Sequence, residues 1–418
     1  VTLNIQPKEA IRRDSILLFL ASWIFFLINL SHPITRNFDE FHYIPSALQW
    51  LSLTANQNWE HPPLAKLLIA IGVGVFGDNP VGWRIMSTLF GSITLVGMYH
   101  LAYALFANNR QAAWVCAALT LFNQLLYVQA RIAMLDTFMM GFLVWALWGV
   151  ARSIEINSVL KIRYIRTAGV CMGLAIACKW FAIVPYFMCL FVLVFEMIRQ
   201  RSPNKAFDIL LYWIMTPALF YFASFLPYLL VEKTPAHTLS EIFTTMQTGM
   251  LDGQKRVVNN HPYMSSWMDW ITLKRPIWYA FDREGDAHVR GVLLLGNPLI
   301  MWGGLVAVVA CALDALVRLH KGFEAVKTSV WIFYFYAGFA LCWIAIPRKV
   351  AFYYYYYPAG MILSIALTYW LIKIKRPQII WSIVGLVMGV FIYFFPILAA
   401  LKIDANTFTR WMWLRSWI

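Results

Sequence analysis

Apolar runs recur along the chain, most of them near the length of about 20 residues that lets a helix cross a bilayer core, with short polar connections between them. They fall near 16–30, 80–106, 111–128, 135–151, 167–180, 181–198, 207–231, 292–316, 326–346, 350–372 and 379–400. The pattern predicts an all-α polytopic membrane protein of about eleven transmembrane helices, an odd number that puts the two termini on opposite sides. Two longer connections interrupt the alternation, at about 31–79 and about 232–291. In the first, "EFHYIPSALQWL" and "PPLAKLLIAIGVGVF" are too short or too mixed to span and are expected to be amphipathic helices at the interface. In the second, "PYMSSWMDWITLKRPIWYAF" mixes Trp and Tyr with charges, as an interfacial lid would. No fixed-period repeat, low-complexity linker or separate soluble domain interrupts residues 1–418, which are expected to form a single transmembrane domain.

Composition supports the membrane assignment. Of 418 residues 61% are hydrophobic and 13% charged, against roughly 25% charged in soluble domains. Aromatic residues make up 17%, which suits interfacial belts. The net charge of +14 is dispersed in short clusters between apolar runs rather than along one soluble face, so it points to topology and not to nucleic acid. Lys8, Arg12 and Arg13, then Arg110, Arg152 to Arg166, Arg199, Arg201 and Lys205, Arg318 and Lys321, and Lys373, Lys375 and Arg376 fall on alternate connections. By the positive-inside rule the N-terminus is cytoplasmic, and the two long segments and the C-terminal tail lie on the outer face. The first apolar run lacks a small-x-small cleavage pattern downstream and is expected to be a retained signal anchor. All six cysteines lie in apolar stretches without a CxxC pair, so neither a disulfide framework nor a zinc site is implied.

Candidate chemistry collects on the predicted outer side. Asp39 and Glu40 are adjacent carboxylates: solvated charges on one reading, and on the other a general base held within reach of a substrate hydroxyl. "HPPLAK" follows. Its prolines suit a helix start, Lys66 could simply snorkel, and His61 with Lys66 could instead face an anion. Arg84, Arg131, Lys179, and Arg348 with Lys349, sit at outer helix ends, where the positive-inside bias gives no reason for them. Together they suggest a site for an anionic headgroup. Asp136, five residues after Arg131, suits a helix N-terminus or a direct role. "FYYYYYP" reads mostly as an aromatic belt, with one or two tyrosines lining a lipid groove. Two carboxylates on one loop are too few to argue for a divalent ion, so no metal ligands are assigned. No Gly-rich phosphate loop, HExxH or GxSxG occurs, which disfavours a soluble activated donor.

Taken together, "NFDEFHY", "EHPPLAKLL", "GWRIMSTLFGS", "ARIAMLDTF", "CKWFAIVP", "HPYMSSWMDWITLKRPIWY", "LLGNPLIMWGG" and "PRKVAFYYYYYPAG" resemble the protein O-mannosyltransferase family of membrane glycosyltransferases with the GT-C architecture. The resemblance runs in family order over nearly the whole chain. It implies inverting transfer of a hexose, usually mannose, from a polyprenyl-phosphate lipid to a Ser or Thr hydroxyl of a secreted or membrane protein. Asp39 matches the catalytic acidic position and Glu40 its neighbour. Arg84, Lys179 and Arg348 are candidates to stabilise the departing lipid phosphate, with His61 and Lys66 shaping the same pocket and Arg131 and Asp136 beside it. The expected location is a bacterial inner (plasma) membrane, with the site on the periplasmic side. The large MIR domain of eukaryotic members has no counterpart between the seventh and eighth runs, which leaves the acceptor open: lipid A, a glycolipid or a polysaccharide is the alternative. A transporter or flippase would place its ionisable residues in mid-span, whereas here they gather at helix ends.

Overall fold

The computed structural model of the protein describes residues 7–55, 58–154, 162–232, 237–256, 261–346, 348 and 350–418; Lys349 lies outside them. Helices α1 (Pro7–Leu27), α2 (Glu40–Leu51), α3 (Leu64–Phe76), α4 (Pro80–Leu105), α5 (Arg110–Leu121), α6 (Gln124–Gln129), α7 (Leu135–Ser153), α8 (Ile162–Cys178) and α9 (Ile183–Arg199) form the first part. Then come α10 (Ala206–Ile209) and α11 (Thr216–Ala223), joined by a π-helical segment, Leu210–Met215, and the short α12 (Leu239–Phe243), α13 (Thr245–Arg256) and α14 (Trp267–Ile271). A hairpin of β1 (Ile277–Glu284) and β2 (His288–Leu294) precedes α15 (Pro298–Arg318), α16 (Lys327–Ala345), α17 (Tyr357–Leu371), α18 (Pro377–Leu398) and β3 (Ile403–Asp404).

Among the described residues seven helical stretches are long and apolar enough to cross a membrane: Pro80–Leu105, Trp180–Arg199, Pro203–Leu230, Pro298–Lys321, Lys327–Ala345, Tyr353–Ile374 and Pro377–Leu398. Helices also occupy the other four predicted runs, but α1 and α7 carry charges near their ends, α8 has 17 residues, and 111–128 is broken. The break has a local cause. The Asn123 side chain accepts a hydrogen bond from the Leu125 N–H at 3.2 Å and donates to the Gly360 carbonyl, starting α6 as a separate element. Asn79, Asn109 and Asn297 cap α4, α5 and α15 in the same way.

Periodicity missed the sheet. Antiparallel β1 and β2 pair from Ile277↔Leu294 to Glu284↔His288, and β2 pairs with β3 through His288↔Asp404 and Val289↔Ile403. The run at 292–316 therefore begins as buried strand and turns into helix only after Asn297. A continuous apolar run cannot by itself distinguish a buried strand from a buried helix. The first long loop does contain two helices, α2 and α3, where its two amphipathic stretches lie.

Close backbone contact holds α8 to the segment from α10 to α11. A Cβ on Gly169 would lie 1.8 Å from the Tyr212 carbonyl oxygen, and one on Gly173 would lie 2.6 Å from that of Pro217. This small-x-x-x-small face lets two helices approach as membrane helices do when packing alone joins them.

Contacts sort the connections into two faces. On one, Arg110 pairs with Asp14, Lys327 with Glu196, Arg199 with Glu324 and Lys373 with Asp314. On the other, the Glu232 N–H donates to Leu53, Gln254 to the Glu60 carbonyl, and β3 joins β2. The second face gathers both long loops and the C-terminal tail.

Candidate active site

Asp39 is the residue before α2 and lies on this second face. Its loop is fixed by its neighbour. The Glu40 carboxylate is fully buried and takes two parallel hydrogen bonds from Arg84, Nε to Oε1 and Nη2 to Oε2, each 2.9 Å. It also accepts from the Asn37 N–H at 2.9 Å and the Ala133 N–H at 3.0 Å. The remaining Arg84 donors reach the Leu30, Pro33 and Thr35 carbonyls. Such a forked, fully paired arrangement is what makes a buried ion pair tolerable. Phe38, one residue before Asp39, has φ +49°, a left-handed conformation rare for an aromatic residue. Its ring is held among His261, Tyr279 and Phe352, at centroid distances of 5.2 to 5.4 Å.

Asp39 itself is half-buried. Its Oδ2 accepts from Tyr43 at 3.2 Å and, more weakly, from Tyr354 at 3.4 Å, and no described residue donates to Oδ1. Burial pushes its carboxyl above the ordinary carboxylate range, against the pull of the Lys179 ammonium.

A recess of about 620 Å³ opens beside it, lined by His61, Lys179, Arg348, Tyr355, Trp343 and Gln254 among others. Two of its three cations, Lys179 and Arg348, rest on an aromatic wall, while the exposed Lys255 pairs with Asp252. Phe181 stacks on Trp343 at 5.2 Å and Trp343 on Tyr355 at 4.6 Å. Lys179 Nζ and the Arg348 guanidinium each lie 5.0 Å from the Tyr355 ring centroid. Lys179 is anchored by Asp136 at 2.6 Å, both nearly inaccessible. Arg348 donates through Nε to the Val350 carbonyl at 3.0 Å, and its Nη groups have no acceptor among the described residues. His61 is held well below its usual pKa by burial and by the charges of Lys179, Lys66 and Arg348, so it is neutral at pH 7.

Three predicted pocket residues sit differently from what their sequence positions suggested: Arg84, fully buried with its donors taken by Glu40 and three carbonyls, does not face the recess, and neither do Lys66 and Arg131. Lys66 is fully buried and donates to the Asn58 and His61 carbonyls and the Asn58 side chain, tying the turn before α3 rather than facing the recess. Burial brings its pKa down to about 7. Arg131 donates to the carbonyls of Phe26, Ile28 and Leu398 and lies 5.0 Å over Tyr127, joining the ends of α1, α6 and α18. Asp39, His61, Asp136, Lys179 and Arg348 thus come together; Glu40 and Arg84 form the clamp behind them; Lys66 and Arg131 brace the surroundings.

The tyrosine run is no belt. Tyr353 to Tyr357 are all buried, Tyr354 reaching Asp39 and Tyr355 carrying the cations. Tyr43 and Gln254 belong to the site without a distinguishing sequence signal beyond position: Tyr43 lies one helical turn after Asp39, where residues four apart share a face. Among the described residues no group of three or more His, Cys, Asp or Glu is arranged to hold a metal ion.

The fold matches solved structures. It superposes on the S. cerevisiae protein O-mannosyltransferase Pmt1-Pmt2 complex bound to the sugar donor with a TM-score of 0.81, at 15% identity, covering 96% of this chain and 92% of that one. ArnT from Cupriavidus metallidurans bound to undecaprenyl phosphate gives 0.59, at 15% identity, covering 90% and 62%. The architecture is that of a GT-C membrane glycosyltransferase. Two family sequence models also match, "Dolichyl-phosphate-mannose-protein mannosyltransferase" over residues 60–230 and "C-terminal four TMM region of protein-O-mannosyltransferase" over residues 239–417. The chain belongs to the protein O-mannosyltransferase family. Curated relatives include the polyprenol-phosphate-mannose–protein mannosyltransferases of Corynebacterium glutamicum, 25% identical over 92% of this chain and 88% of that one, and of Mycolicibacterium smegmatis, 28% identical over 93% and 90%.

Proposed function

We propose that the protein transfers mannose, with inversion, from polyprenyl-phosphate mannose to a Ser or Thr hydroxyl of a protein, with Asp39 as general base. The observation that carries this reading is the pairing of a carboxylate having one unengaged oxygen with a recess lined by three cations, of which Lys179 and Arg348 lie on its aromatic wall. Asp39 Oδ1 takes the hydroxyl proton as the acceptor oxygen bonds to the sugar C1 and the bond from C1 to the phosphate oxygen breaks. The raised pKa makes Asp39 a stronger base than an exposed carboxylate. The leaving phosphate gains negative charge, which Arg348 and Lys179 offset where water is partly excluded. Asp136 holds Lys179 in place, and Glu40 with Arg84 fixes the backbone from which Asp39 projects.

The face carrying Asp39 is the extracytoplasmic one, in line with the Lys and Arg excess on the connections of the other face. The fold alone is compatible with a glycolipid acceptor; the names of the relatives and of the family models favour protein. Membranes supplied with labelled polyprenyl-phosphate mannose separate the two. Label in Ser or Thr of protein is expected, and label confined to lipid would reverse the assignment.

A further inference from the structure

The face opposite Asp39 holds a second recess. It measures about 460 Å³, and Asn108, Thr328, Lys327 and Lys373 give it a polar rim. Ala151, Ile154, Leu105 and Trp331 line both this recess and an adjoining cavity whose wall is wholly apolar and lies among α4, α7, α9, α16 and α17. A basic mouth therefore passes into a dry slot between helices. Water gains nothing in such a slot, and a soluble anion would leave it empty.

The two lysines differ. Lys327 is buried, donating to the Ile154 carbonyl at 2.6 Å and pairing with Glu196 at 3.0 Å, so its charge is balanced within the protein. Lys373 lies 3.8 Å from the Tyr369 ring centroid and 3.9 Å from that of Trp370, which fix its direction. Its carboxylate neighbour Asp314 is 3.7 Å away, too far for a hydrogen bond, and none of its three N–H groups has an acceptor among the described residues. An ammonium held in place with open donors, at the mouth of an apolar slot, matches an amphiphile with an anionic head and a hydrocarbon tail.

We propose that this recess is a phospholipid site: the phosphate of an anionic lipid from the adjacent leaflet is bound by Lys373, and the start of one acyl chain enters past Ala151, Ile154 and Trp331. The site is separate from the catalytic recess, and its occupant braces α7 against α16 and α17.

The test uses the purified full-length chain in detergent, with lipid retention followed by native mass spectrometry and thermal unfolding followed with added lipid. Phosphatidylglycerol is expected to be retained at one copy and to raise the melting temperature more than phosphatidylcholine of the same acyl composition, with inorganic phosphate and glycerol phosphate inert. Lys373→Gln should weaken phosphatidylglycerol binding about fivefold, the effect of one basic residue at a membrane surface. Arg348→Gln, on the other face, should leave it intact. Ala151→Trp should remove the response to both lipids, and if that variant does not fold, Lys373→Gln alone decides. Equal shifts from the two lipids, an undiminished preference in Lys373→Gln, or a phosphate effect matching that of the lipid would overturn the proposal.

Discussion

Asp39 and Glu40 are neighbours with opposite environments: one half-buried beside a recess with an oxygen free, the other sealed under Arg84. The difference predicts a pH dependence. A base acts only when deprotonated, so transfer rises with pH through the Asp39 titration, and its raised pKa moves the acid limb above the ordinary carboxylate range. A kcat/KM profile with donor and acceptor peptide checks this; a limb near pH 4 would count against Asp39. Arg348→Gln removes a guanidinium whose Nη groups have no described acceptor, and donor affinity should fall about 10- to 100-fold, the weight of a charge-assisted contact. Unchanged donor binding would take Arg348 out of the site.

The elements hold these residues in place. Breaking the Glu40–Arg84 pair from one side, as in Glu40→Ala, leaves a buried unpaired guanidinium, a loss of about 3–5 kcal/mol. The expected result is a large fall in thermal stability together with lost activity, and near-normal unfolding would mean that the clamp does not hold the loop. Gly169→Leu should separate α8 from the π-helical segment, because even a Cβ there meets the Tyr212 carbonyl oxygen at 1.8 Å. Reduced yield of folded protein in detergent reads this out, and Gly385→Leu, where a Cβ meets nothing within 4 Å, is the control.

Across the whole molecule, apolar spacing made the membrane helices legible, since helix length and bilayer thickness are linked. It also made α2 and α3 legible as amphipathic elements too short to span. The sheet was not legible: β2 is apolar throughout its second half, and its partner β3 lies more than a hundred residues downstream. Within the site, Asp39, Lys179 and Arg348 stood out because charges are rare in such a chain. What separates them from Arg84, Lys66 and Arg131 is which donors are already taken, and that depends on backbone carbonyls contributed by distant segments such as Phe26 and Leu398. The grouping of connections also predicts sidedness. A cysteine placed at Asp286, on the tip of the β1–β2 hairpin, should react with an impermeant maleimide from outside intact cells, and one at Lys321 should not; the reverse pattern would invert the topology. The native cysteines are buried or half-buried and give little background.

The role of Asp39 as base is decided by Asp39→Asn, with single-turnover transfer of mannose from polyprenyl-phosphate mannose to a Ser/Thr peptide and donor binding measured on the same sample. Transfer is expected to fall at least about 100-fold, the range for a lost general base, while donor binding is retained. Full-rate transfer by Asp39→Asn would contradict that role.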